Sequence, residues 1–146
     1  MAQPIDVKLT QDDDGIFDIN IGDNGDFELD EGFGTTIALT IFGEQRASEG
    51  EVPTPENRGG WIGNILADDP GFQAGSKGWL LKQSRLKPST PSALRNYHQE
   101  ALRWMIDDGL AKKITITSTQ TQDSINQEIN VDGEPFFFDV WNNTIL

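Results

Sequence analysis

One histidine, no cysteine and 24 carboxylates make up the chain's main reactive groups. Without cysteine there can be no disulfide framework, thiolate metal site or cysteine nucleophile. His98 is the only imidazole, so any Ser-His-Asp arrangement would have to be built around it. It lies inside a helical pattern beside Tyr97 and Gln99-Glu100, with no strained serine elbow or glycine-rich oxyanion loop nearby. It reads as a structural or surface histidine, and one histidine is too few for a catalytic zinc site. Glu100, among Tyr97, Leu102 and Trp104, is the one nameable acid for a carboxylate pair that cleaves glycosides. That chemistry needs an apolar pocket to raise one pKa while the other acid stays ionised. A solvated helix face accounts for Glu100 better, and a small peptidoglycan glycoside hydrolase (lysozyme-like) stands as an alternative. The acidic N-terminus resembles the calcium-loop pattern only in part. Asp18, Asn20 and Gly22 fall at its first, third and fifth positions, and Asp23 stands where glycine is required. A calcium-dependent binding module is thus the second alternative. The expectation is a protein that is not an enzyme, with no catalytic, cofactor-binding or metal residues.

Charge narrows the partners. The net charge of −13 argues against nucleic acid, whose binding rests on phosphate neutralisation by Lys and Arg. The charge is segregated: residues 1–31 carry −9, residues 32–76 −4, residues 77–113 +5 and residues 114–146 −5. The acidic start and basic middle could attract each other within one molecule or between neighbouring copies. No apolar run of roughly 18 or more residues is present to span a bilayer, and the N-terminus lacks a signal-peptide core. The expectation is a soluble protein with no membrane partner, synthesised in a cytoplasm.

At 146 residues the chain reads as one domain, 1–146, of α+β class. Its centre is the stretch from Thr90 to Thr119. Leu94, Tyr97, Ala101 and Trp104/Met105 recur at helical spacing, with Leu102 and Ile106 widening the stripe. Thr90 suits the cap, Pro91 the first helical position, and Gly109 the left-handed residue past the end. Ile114-Thr115-Ile116-Thr117 then alternates as a strand with one buried face.

Before it, residues 5–9 and 16–21 read as short strands, and Asp23-Asn24-Gly25-Asp26 is the strongest hairpin signal. Residues 33–47 read as a helix and residues 48–75 as a long loop around Trp61 to Leu66. Ser76 caps a second helical stretch that ends before Pro88. After the central strand, residues 124–131 and 135–141 alternate around Asp132-Gly133. The pattern predicts an N-terminal hairpin, two to three helices and a C-terminal three-stranded antiparallel sheet.

Several blocks carry a family likeness. They are Gly25-Asp26-Phe27, Asp30-Glu31-Gly32, Arg46-Ala47, Arg58-Gly59-Gly60-Trp61-Ile62-Gly63, Gly75-Ser76-Lys77-Gly78-Trp79-Leu80-Leu81 and Glu100 to Gly109. In this order, over residues 20–113, the chain resembles the small baseplate protein of Mu-like contractile-tailed phages. Those proteins in turn look like the baseplate wedge subunits, labelled lysozyme-like, of other contractile tails. The resemblance implies a structural virion component of the tail baseplate that joins the inner baseplate to the first sheath ring and helps start sheath assembly. The implied partners are other wedge proteins, the tail sheath and tube or hub proteins. The wedge family's Glu-Pro-Arg motif has no counterpart here; its place is taken by Asp107 to Lys113. The interface candidates are Arg46, Arg58, Trp61, Asp107, Asp108, Lys112, Lys113, Ile114 and Ile116.

Overall fold

A computed structural model describes residues 6–30, 32–53, 57–61, 73–83 and 85–146. The chain opens with four short strands. Strand β1 (Asp6–Val7) and β2 (Leu9–Gln11) precede β3 (Phe17–Ile19) and β4 (Leu29–Asp30). The β2–β3 turn is held by the Asp12 carboxylate, which accepts the N–H groups of Asp14 and Ile16 at 2.9 Å each. The expected Asn24-Gly25 turn is present, with Gly25 at φ +81° and Ile21 bridged to Phe27. The two strands expected in residues 5–21 are broken up, because the first one changes partner: β1 pairs with β4 and β2 pairs with β3.

Helix α1 (Gly34–Phe42) is capped from a distance by Asp30, whose Oδ2 accepts the Thr35 N–H at 2.8 Å. It stops five residues short of the expected end at 47. Gly43 turns extended (φ −70°, ψ 148°), and the backbone beyond it finds tertiary partners instead of continuing the helix. Gln45 N–H donates to Ser76 O at 3.0 Å and Ala47 N–H to Arg58 O at 2.8 Å.

Ser76 does cap the next helical stretch, accepting the Gly78 N–H at 3.0 Å. That stretch, Lys77–Gln83, is helical as expected and is wound as a 3-10 helix. Its Gly78 lies so close to the long helix that a Cβ there would stand 2.7 Å from Leu94 Cδ1.

Helix α2 (Thr90–Asp107) follows. Thr90 is its first residue and Ser89 the flanking one, so the expected cap is displaced; the Thr90 hydroxyl instead accepts the Lys87 N–H at 2.9 Å. Gly109 takes φ +78° past the end, as expected. Leu94, His98, Leu102 and Met105 form the buried side, while Ile106 is 41% exposed. The stripe therefore centres on His98, which replaces Tyr97 and Ala101 at its middle.

The C-terminal sheet has four antiparallel strands, in the order β5 (Ile114–Gln120), β6 (Ile125–Val131), β7 (Glu134–Asp139) and β8 (Thr144–Ile145). The unexpected fourth is two residues long, too short to show a period, and follows Asn143 at φ +52°. Ile37 and Ile41 of α1, Leu94, Leu102 and Met105 of α2, and Ile114, Ile116, Ile125, Ile129 and Phe138 of the sheet join in one core. Burying each such side chain contributes about 1.5–3 kcal/mol. Among the described residues no helix is long and apolar enough to cross a membrane.

Candidate functional site

Three of the sequence blocks, those of Arg46, Arg58 and Gly75, meet in a knot of close backbone contacts. Gly43 and Gly75 pass so near each other that a Cβ on Gly75, at φ +91°, would lie 2.8 Å from the Gly43 carbonyl. Gly59 lies under the Trp79 ring, where a Cβ would approach to 2.9 Å, and Gly60 under the Arg46 side chain at 2.8 Å. Glycine is needed at Gly59, Gly60 and Gly75 both for positive φ and for this approach. Polar groups lock the knot. Arg58 Nε donates to Ala47 O at 2.7 Å and Trp79 Nε1 to Gln45 O at 2.8 Å. Lys77 pairs with Glu51 at 3.1 Å; the Ser48 N–H and this ammonium hold the Glu51 carboxyl below its ordinary range.

Arg46, Arg58 and Trp61 are thus brought together, though nothing in their spacing linked them. Arg58 is spent on the backbone of Ala47. Trp61 is 61% exposed. Trp79 and Trp104 are half-buried, Trp104 against the core. The apolar run from Ile62 to Leu66 lies outside the described residues.

The second group sits where α2 hands over to β5. Asp107 and Asp108 are exposed at the helix end, and Arg103 reaches Asp107 at 3.9 Å. Lys112 and Lys113 also point outward, while their backbone is clamped by Asp132 from the β6–β7 turn. Its carboxylate accepts the Lys112 N–H at 3.0 and 3.1 Å and the Lys113 N–H at 2.8 Å, and its own N–H returns to Lys113 O at 3.0 Å. Sequence reasoning missed this role, since Asp132-Gly133 reads as an ordinary turn. Ile114 and Ile116 face inward, each 7% exposed. What β5 offers outward is therefore its edge, not these side chains. β6 pairs with one side of β5, and no strand among the described residues pairs with the other.

The two sheet edges are treated differently. At β8 the edge is short and closed off: Gln11 accepts the Ile145 N–H at 2.8 Å and donates to Asn143 O at 2.8 Å. Along its seven residues β5 has no strand on its outer side among the described residues, the form of edge that natural proteins blunt unless it is used.

His98 is structural. Its Nδ1–H donates to Gln127 Oε1 at 2.7 Å, joining α2 to β6. Burial pushes its pKa down to about 4. Beside it lies a cavity of about 250 Å³ bounded in part by Glu44, Trp79, Lys82, Leu94 and Asn143. Lys82 donates to Asn143 Oδ1 there, and burial lowers its pKa. Glu100 is on the exposed side of α2. Among the described residues no group of His, Asp or Glu is placed to hold a metal ion.

Residues 33–135 match a family model described as phage protein GP46. Over 97 residues the chain is 33% identical to the Mu-like prophage FluMu protein gp46 of Haemophilus influenzae, a match that covers 66% of this chain and 64% of that protein. The family match takes in the glycine knot, α2, and β5 through β6; strands β1–β4 and β8 lie outside it. The chain therefore belongs to the GP46 family of phage proteins.

Proposed function

We propose that the protein is a non-enzymatic structural component of a contractile phage tail baseplate, a wedge subunit that links the inner baseplate to the tail sheath and helps start sheath assembly. The observation that carries an assembly role is the seven-residue β5, which has no strand on its outer side among the described residues, in a sheet whose other outer strand, the two-residue β8, is held by Gln11. An open edge accepts a strand from another chain through main-chain hydrogen bonds, with little demand on side chains. Family membership and the Mu-like relative support reading that role as one in a phage. The baseplate position and the partners follow from the resemblance of the sequence blocks to wedge proteins. The knot supports the reading too, because Trp61, next to Gly60 in the chain, is exposed.

Deleting the gene in its phage should give tails without assembled sheath, and particles of normal morphology would refute the proposal. Purified protein incubated with cell walls should release no muropeptides. Turnover that disappears in Glu100→Gln would assign the protein to catalysis instead.

A further inference from the structure

The N-terminal strands carry an apolar face that the molecule covers only at one end. Phe17 and Ile19 of β3 are two residues apart and so share a side, and Ile21, two residues beyond them and outside the strand, is bridged to Phe27. Phe17 reaches the core, its ring 5.6 Å from that of Phe42. Moving outward, Ile21 is 62% exposed and the Phe27 bridged to it 46%. Leu29, on β4, is exposed as well. Acids occupy the turns at either end, Asp12 to Asp14 and Asp23 with Asp26, all of them exposed. An exposed apolar face of this kind marks an interface, and the question is what covers it.

Charge chooses the occupant. Residues 1–31 hold a net −9, so two such ribbons packed face to face would set like charges against each other. The complementary surface is on the same chain. Of the basic residues between 77 and 113, Arg95, Arg103, Lys112 and Lys113 stand on or beside one side of α2, with the acids Glu100, Asp107 and Asp108 among them, and along that side run Arg95, Gln99, Arg103 and Ile106. Ile106 is exposed, and that side borders two shallow grooves against β5. One is lined by Leu102, Arg103, Ile106 and Ile114, together with the acids Glu100 and Asp107. The other is lined by Arg95, Ile116 and Ser118, and the buried Ser118 hydroxyl has no hydrogen-bond partner among the described residues. Lys112 and Lys113 stand exposed beyond the first groove. Within one molecule the acidic and basic segments do not satisfy each other: among the described residues the ion pairs are Lys8–Glu28, Lys77–Glu51 and Arg103–Asp107, and none joins the two.

We infer that the acidic, apolar N-terminal ribbon of one copy docks into the α2–β5 groove of the next, Ile21 and Phe27 meeting Ile106 and the ribbon's aspartates meeting Arg95, Lys112 and Lys113. The contact is head-to-tail, so it builds closed rings or open chains and not a two-fold dimer. It names an occupant for the surface used in the proposed assembly role and rests on that role only for the open β5 edge.

Sedimentation equilibrium of the purified chain tests it. The expected result is self-association that strengthens with concentration up to ~1 mM and weakens on moving from about 50 to 500 mM salt. Ile21→Ser with Phe27→Ser should weaken association at least ~10-fold, the factor that corresponds to about 1.4 kcal/mol. Lys112→Glu with Lys113→Glu should do the same, circular dichroism confirming that both variants fold. Mixed, the two variants should form a 1:1 pair that grows no further, since together they hold one intact ribbon and one intact groove. A wild-type chain that stays monomeric throughout would overturn the inference, as would association surviving in both variants, or a mixture that does not pair. These outcomes are independent of the gene-deletion phenotype, so a failed self-contact is distinguishable from a failed tail assignment.

Discussion

The N-terminal ribbon and the C-terminal sheet are written in the same alternating pattern and finish in opposite environments. In the sheet, Ile125, Ile129 and Val131 of β6 are covered by α1 and α2, and none is more than 2% exposed. In the ribbon, Ile19, Ile21, Phe27 and Leu29 alternate just as regularly and remain exposed. Alternation therefore specifies that a strand has an apolar side, not that its own chain will cover it. The covering is supplied by helices that cross from elsewhere in the sequence, and only the sheet receives them.

The comparison can be broken most directly by paired truncations. Ile129→Ala should cost about 2–5 kcal/mol, the usual range for emptying a closed core site, whereas Ile21→Ala should stay within about 0.5 kcal/mol. Urea midpoints measure both, and equal losses would mean that the ribbon is packed as tightly as the sheet.

The helix–sheet seam gives the next largest effect. Burial holds His98 neutral with a pKa of about 4 against an ordinary 6.5. The unfolded chain therefore takes up the proton first, and stability falls as pH drops through 6.5, levelling off below 4. A shift of this size corresponds to roughly 3 kcal/mol. Urea titrations at pH 7 and pH 4 should differ by about that amount beyond any change seen in a His98→Gln variant.

A smaller effect belongs to the joint between α2 and β5. Asp132→Ala strips the Lys112 and Lys113 N–H groups of their acceptor and should cost about 1–2 kcal/mol. Asp132→Asn should recover part of this, because its side-chain oxygen can still accept. Amide exchange at Lys112 and Lys113 is the local readout, and unchanged protection in the alanine variant would contradict the clamp.

The legible parts were those governed by neighbours in sequence. Helix α2 was visible because Leu94, Tyr97, Ala101 and Trp104/Met105 recur at its period, and β5 and β6 because their apolar residues alternate between turns rich in Asp, Gly and Asn. The candidate site was legible only as separate fragments. Arg46, Arg58 and Trp61 were each marked by a block that resembles a family, but that Gly59 lies under Trp79 and Gly60 under Arg46 depends on how residues 43–47, 57–61 and 75–79 cross. Asp132 carried no signal for its clamp, since its partners are about 20 residues away. The 3-10 winding of Lys77–Gln83 was hidden for a related reason: Gly78 lies against Leu94 and His98, a contact that no local pattern encodes.

By itself the sequence determined the α+β class, the reach of α2, the turn positions, the absence of cysteine chemistry and the segregation of charge, because each depends on residue type and spacing along the chain. Tertiary structure decided that Ile114 and Ile116 face inward, that His98 is sealed against Gln127, that Gln11 closes one sheet edge while β5 stays open, and that the ribbon's apolar face is left uncovered. Those outcomes depend on which surfaces meet across long stretches of chain, and burial, unlike periodicity, is a property of the pair of surfaces and not of either one.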